Sequence, residues 1–162
     1  MRDPQLEAKF PKLTTGDYDI KSPKDGKYNC VAFVVGNPTR NWQWMPYKTG
    51  GYYWPPDIDG DETLRAWTTV FEVHGYRQCE SGDFESGIEK IALYTDSDGV
   101  PSHVAKQDIS TGKWISKLGK GYDIEHDSYE VLEGFDEHEY GVAVRFMSRI
   151  RKPYLYDQSR TQ

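Results

Sequence analysis

Cys30 and His103 are the two side chains in this sequence whose types best suit covalent chemistry. A thiol that gives its proton to an imidazole can attack an acyl carbon, and the imidazolium can then protonate the leaving group. Their separation of 73 positions is no obstacle, because such a pair is made in space. Asn29 is a good helix N-cap directly ahead of Cys30. A cysteine opening a helix has its thiolate stabilised by unpaired backbone N–H groups and by the positive end of the dipole. The plainer reading of Cys30 is a small hydrophobe in an apolar run, since cysteine is among the most buried residue types. Cys79, after His74-Gly75-Tyr76-Arg77-Gln78, reads as a packed thiol.

Elements must deliver these groups. The run Cys30–Val35 is closed by Gly36-Asn37-Pro38. Its three valines favour a strand, whereas Asn29 and Gly36 as caps favour a short helix, and the pattern leaves both open. Residues 41–58 carry three Trp and three Tyr among Gly and Pro, which reads as a long ordered loop. A helix follows, with Asp61 as the expected N-cap and Leu64, Trp67, Val70, Phe71 and His74 at helical spacing before Gly75. From Gly87 the period changes to two. Ile88–Tyr94, Ser102–Gln107 and Trp114–Leu118 read as strands joined by the turns at Asp96–Gly99 and Ser110–Lys113. Tyr140–Met147 is a last strand, Asp123–Leu132 is of undetermined type, and Ser148–Gln162 is a basic tail. Residues 1–27 read as an extended arm with one short strand near Tyr18–Ile20. The sum is one α+β domain over residues 1–162, with helices ahead of an antiparallel meander.

The chain resembles the papain-like cysteine hydrolase superfamily, in its branch of NlpC-type and CHAP-type peptidases and amidases. The residues that carry the likeness are Tyr28-Asn29-Cys30-Val31-Ala32 and Ser102-His103-Val104-Ala105. In that family the nucleophile opens an early helix and the histidine opens the second strand of a meander packed on it. The resemblance implies an α+β, helix-first papain-like fold, with Cys30 as nucleophile and His103 as base and then acid. The third, ring-orienting residue of the family falls at Ser116, a weaker orienter than the usual His, Asn or Gln, with Asp123 and His126 as substitutes that folding could bring near. The likeness covers residues 28–118, apart from the aromatic insert. The chain also looks like an uncharacterised bacterial and phage domain family with Tyr-Asn-Cys, a Trp/Pro-rich segment, Gly-Tyr-x-x-Cys and Ser/Thr-His-x-Ala-x-Gln.

The implied activity is cleavage of an amide, isopeptide or thioester bond through an acyl-enzyme. Tyr28, Asn29, Trp42, Trp44 and Trp54 are then the expected substrate-binding residues, with the aromatic segment as a groove wall beside Cys30. The rival reading is a non-catalytic binding module, associated with a phage or toxin system, that uses the same Trp/Tyr-rich loop to hold a peptide or protein partner. No cofactor is expected. A zinc site from Cys30, Cys79, His74 and His103 lacks any close ligand pair, and Asp57, Asp59, Asp61 and Glu62 depart from the EF-hand spacing.

Composition bounds what remains. The 162 residues include 23 aromatics, enough bulk for a core, and the formal net charge is -6. That balance argues against binding nucleic-acid backbones, and the four basic residues Arg145, Arg149, Arg151 and Lys152 read as a solvated strand end. The opening MRDPQLEAKF has no apolar core of a signal peptide, and no stretch reaches the ~18–20 apolar residues of a membrane helix. A cytoplasmic protein away from membranes is expected, with two cysteines in reducing surroundings.

Overall fold

Alternating apolar and polar side chains, broken by glycine turns, give this chain a framework of strands. The structure, a computed structural model, describes residues 2–37, 41–43, 53–58, 62–119, 121–136 and 139–151. Its framework is a seven-stranded antiparallel sheet of β1 (Tyr18–Ser22), β2 (Arg77–Cys79), β3 (Ile88–Thr95), β4 (Pro101–Gln107), β5 (Trp114–Lys117), β6 (Asp123–His126) and β7 (Val142–Ile150). The spatial order is β1-β6-β5-β4-β3-β7-β2. The described helices are α1 (Pro4–Lys9), α2 (Cys30–Val35) and α3 (Leu64–Val73), with 3-10 turns at Pro11–Thr14 and Tyr129–Leu132.

This architecture corrects the helix-first papain-like α+β fold expected from the order of the motifs. Among the described residues only α3 runs beyond six residues, so the described helices decorate a sheet rather than frame a domain. The segment of undetermined type contributes β6, and the expected arm contributes β1. The two pair in register, Tyr18 with His126 and Ile20 with Ile124. β2 extends the opposite edge by pairing with β7. β1 covers the short strand expected near Tyr18–Ile20, whereas β2 and β6 span only three and four residues, too few alternations to announce themselves; cross-strand pairing stabilises all three. The arm is also not simply extended. Asp3 caps α1 by accepting from Gln5 N and Leu6 N, and Phe10 and Leu13 are fully buried.

Caps decide α2 against the strand propensity of its valines. Asn29 Oδ1 accepts from Ala32 N at 3.1 Å, and Gly36 ends the helix in the left-handed region at φ 78°. Val31, Ala32 and Val34 are then buried together with Val70, Phe71, Leu93 and Val104, on one face of the sheet. Phe10, Leu13, Tyr94, Ala105, Trp114 and Ile124 fill the other face. α3 is capped by Thr63, whose hydroxyl accepts from Ala66 N, while Asp61 lies outside the described residues. Among the described residues no helix is long and apolar enough to cross a membrane.

Candidate active site

Cys30 is the first residue of α2, and α2 packs on β4 and β5. Asn29 does more than cap this helix. Its Oδ1 also accepts from Trp42 N at 3.1 Å, and its Nδ2 donates to Trp42 O at 2.9 Å. One side chain therefore fastens the start of the aromatic segment to the start of the nucleophile helix. The Trp42 ring packs on Tyr53 at 4.7 Å, and Gln43 N donates to Tyr53 O at 2.8 Å.

His103 sits near the start of β4, just past an irregularity in register: Tyr94 pairs with His103, but Thr95 pairs with Pro101. Its ring is fully buried and stacks flat on Tyr140, with centroids 4.2 Å apart and planes 4° from parallel. Tyr140 is seated from two sides. The Ser102 hydroxyl donates to its carbonyl, and the chain next turns at Gly141 (φ +82°), where any Cβ would collide with the Thr95 carbonyl.

A chain of four groups runs behind the ring. His103 Nε2 lies 3.0 Å from Ser116 Oγ, Ser116 Oγ 2.9 Å from His126 Nε2, and His126 Nδ1 2.8 Å from Ser128 O. A carbonyl can only accept, so His126 Nδ1 carries a proton. Burial pulls His126 down to about 4, so its ring is neutral at pH 7 and its Nε2 is bare. Ser116 must then donate its single proton to His126, and His103 Nε2–H must donate to Ser116. It follows that His103 Nδ1 is the unprotonated nitrogen. That atom is buried and has no hydrogen-bond partner among the described residues. Burial, helped by the cost of placing a second positive ring beside His126 and by the Lys9 ammonium, holds His103 well below the ordinary histidine value, so the ring is a neutral base.

Cys30 and His103 line the same cavity, about 240 Å³, walled by Trp42, Trp67, Ser102 and Tyr140. Gln43 and Glu62 stand at it too, 3.5 Å apart. A larger open groove of about 950 Å³ lies at the β2–β7 edge, lined by Val73, Arg77, Arg149 and Ile150, and contains neither Cys30 nor His103. The depressed thiol expected from a helix start is not what the fold produces. Burial pushes Cys30 up to about 11, outweighing the backbone N–H groups of Val104, Val31 and Cys30 that face the sulfur. A six-residue helix has little dipole to set against loss of water. The resting pair is thiol and imidazole, both neutral.

The expected residues divide as follows. Ser116 meets His103, with His126 completing the relay through Ser116, and Cys30 lines the cavity that His103 also lines. Asp123 does not join them and instead accepts from the Ser22 hydroxyl at 2.5 Å. Trp42 walls the cavity; Asn29 lines it as cap and clamp. Tyr28 and Trp54 pack on the α2 side of the core and are not among the lining residues, and Trp44 lies outside the described residues. Cys79 stands apart on β2, its thiol donating to Ser81 O at 3.4 Å. Tyr140 and Trp67 were not anticipated as site residues. The tyrosine ahead of a Gly141 turn carries no sequence signal for stacking on a distant histidine, and Trp67 reads as one more residue of the helix core.

A family model described as Domain of unknown function (DUF7689) matches residues 19–148, a span that holds Cys30, His103, Ser116, His126 and Tyr140. No curated protein and no solved structure matches the chain.

Proposed function

The chain belongs to the DUF7689 family, and we propose that it is a cysteine hydrolase, cleaving an amide, isopeptide or thioester bond through an acyl-enzyme on Cys30. The observation that carries this reading is the Nδ1 of His103, buried and without a hydrogen-bond partner among the described residues, on a ring that lines the cavity that Cys30 also lines. A buried polar nitrogen left unpaired is costly, and general-base work on an incoming thiol proton is a reason to keep one.

The sulfur attacks the substrate carbonyl carbon as its proton passes to His103 Nδ1. The carbon–sulfur bond forms, and the carbonyl π pair moves to oxygen, which the Cys30 N–H at the helix start can turn to hold. The tetrahedral centre collapses, the bond to the leaving group breaks, and that group takes the proton from Nδ1. Water then gives its proton to Nδ1 and attacks the acyl carbon. The carbon–sulfur bond breaks, the thiol recovers its proton, and a carboxylic acid departs. His103 Nε2–H donates to Ser116 in every step, so the relay need not turn over. Both cysteines are free, which suits the reducing cytosol as the place of action.

The same burial of Cys30 favours the second reading, a binding module whose Trp-walled cavity holds a partner side chain. One experiment separates them: exposure of the folded protein to an N-acetylcysteamine thioester, with intact-mass and peptide analysis. The hydrolase reading expects an acyl adduct on Cys30 that decays to product, none in Cys30→Ala, and formation at least ~100-fold slower in His103→Ala. A wild-type Cys30 that never acylates while the protein is folded leaves only the binding module.

A further inference from the structure

Lys117, next to Ser116 on β5, is a buried cation with no ion pair among the described residues. Its three N–H donors are all spent on backbone carbonyls, Asp25 O, Gly119 O and Gly121 O, each at 2.7 Å. The Tyr28 ring lies 4.9 Å from its nitrogen. These partners tie it to the site from two directions. Tyr28 is two residues ahead of Cys30 on the segment entering α2, and Gly119 lines the cavity that holds Cys30.

Carbonyls and an aromatic face replace the hydration of an ammonium without cancelling its charge. The carboxylates of Asp25 and Asp123 act on it from the neighbouring loop and from β6, but neither forms a contact ion pair. What is left is a positive field at the start of α2, on the same sheet face as the helix.

We propose that Lys117 is a positioning residue of the dyad, its ammonium stationed to stabilise the negative charge that appears on Cys30 sulfur as the thiol gives up its proton. This rests on Cys30 as the nucleophile. The field acts through the thiol and touches no substrate, since every N–H of Lys117 is already committed. It offsets part of the burial that holds Cys30 up, and by reciprocity an anion at Cys30 holds the proton on Lys117.

The first test is Lys117→Met, which keeps the length and removes the charge. The rate of Cys30 modification by methyl methanethiosulfonate at pH 7.5, followed on the Cys30 peptide, should fall about three- to fourfold. A rise of about one pH unit in the thiol's titration cuts thiolate about tenfold, and the greater nucleophilicity of the more basic sulfur returns part of it. An unchanged or faster rate in a folded variant makes Lys117 a loop staple and overturns the proposal.

Should Lys117→Met not fold, the lysine itself is the probe. NMR titration of ¹³Cε-labelled lysine in Cys30→Asp and Cys30→Asn compares a fixed anion with its neutral isostere at the sulfur's position. Lys117 should titrate about one pH unit higher in the Asp variant. Equal titration in the two variants overturns the inference. Failure of wild-type Cys30 to acylate, with the Lys117 difference intact, removes the hydrolase reading alone.

Discussion

Two lysines are buried in this sheet, and they are held in opposite ways. Lys90 on β3 is 1% exposed, with its nitrogen 2.6 Å from Glu85 Oε2 and 3.1 Å from Ser81 O. Lys117 on β5 is 0% exposed and has carbonyls only. At Lys90 the charge is cancelled on the spot, so the region's job is to hold the 81–85 loop against the sheet. At Lys117 the charge is left standing beside a neutral thiol, a neutral histidine pair and a cavity. The difference separates a region built for stability from one in which burial holds ionisable groups away from their usual states.

The largest expected effect breaks the comparison with acid. His103 and His126 are buried neutral with folded values below the unfolded value of about 6.5, so the unfolded chain binds protons first as pH falls. Stability is fully present above about pH 6.5 and is lost as pH drops toward about 4. Urea melts should show a loss of up to about 3 kcal/mol between pH 7 and pH 5, roughly halved in His126→Phe. Constant stability from pH 7 to 5 would mean that the histidines are charged in the fold, and the deduced polarity of the relay would be wrong.

Next in size is Ser116→Ala. Without the hydroxyl, neither His103 Nε2 nor His126 Nε2 has a partner, and the tautomer that leaves Nδ1 bare is no longer enforced. Acylation by the thioester should slow by about 100-fold, the lower end of what general-base catalysis contributes. Retained acylation would show that Tyr140 stacking alone orients the ring.

How much of this was legible depends on how local each signal is. Asn29 and Gly36 are caps that speak for themselves, and α2 follows from them although its valines argue for a strand. β3, β4 and β5 alternate over enough residues, between glycine turns, to be read directly. β1 is visible as the short strand near Tyr18–Ile20, but β2 and β6 are too short for that and exist because distant partners pair with them; without them a sheet protein reads as a helix-first one. At the site, Cys30, His103 and Ser116 stand out by residue type and motif order, and Ser116 was a weak orienter on paper because the histidine behind it comes from β6. Tyr140 and Lys117 left no trace, since stacking and caging are made by long-range contacts. The thiol's elevated value was misjudged for a related reason: a helix start is visible in sequence, and the loss of water around it is not.

The smallest effect sharpens the contrast between the lysines most directly. In Glu85→Gln the carboxylate is replaced by an amide that can still accept from Lys90 but cannot neutralise it. Glu85 is 62% exposed on its side chain, so water screens the pair and takes over part of its role. The cost should therefore be about 1 kcal/mol, well short of the 3–5 kcal/mol typical of breaking a fully buried pair, and visible as a lowered urea midpoint with the slope unchanged. The rate at which Cys30 reacts with methyl methanethiosulfonate should stay at its wild-type value, because Lys90 serves the 81–85 loop and not the thiol. Lys117→Met should show the reverse signature, with the thiol rate changed. A Glu85→Gln protein with slowed Cys30 modification would mean that both lysines feel the site through the sheet, and the division into a neutralised and an uncancelled charge would fail.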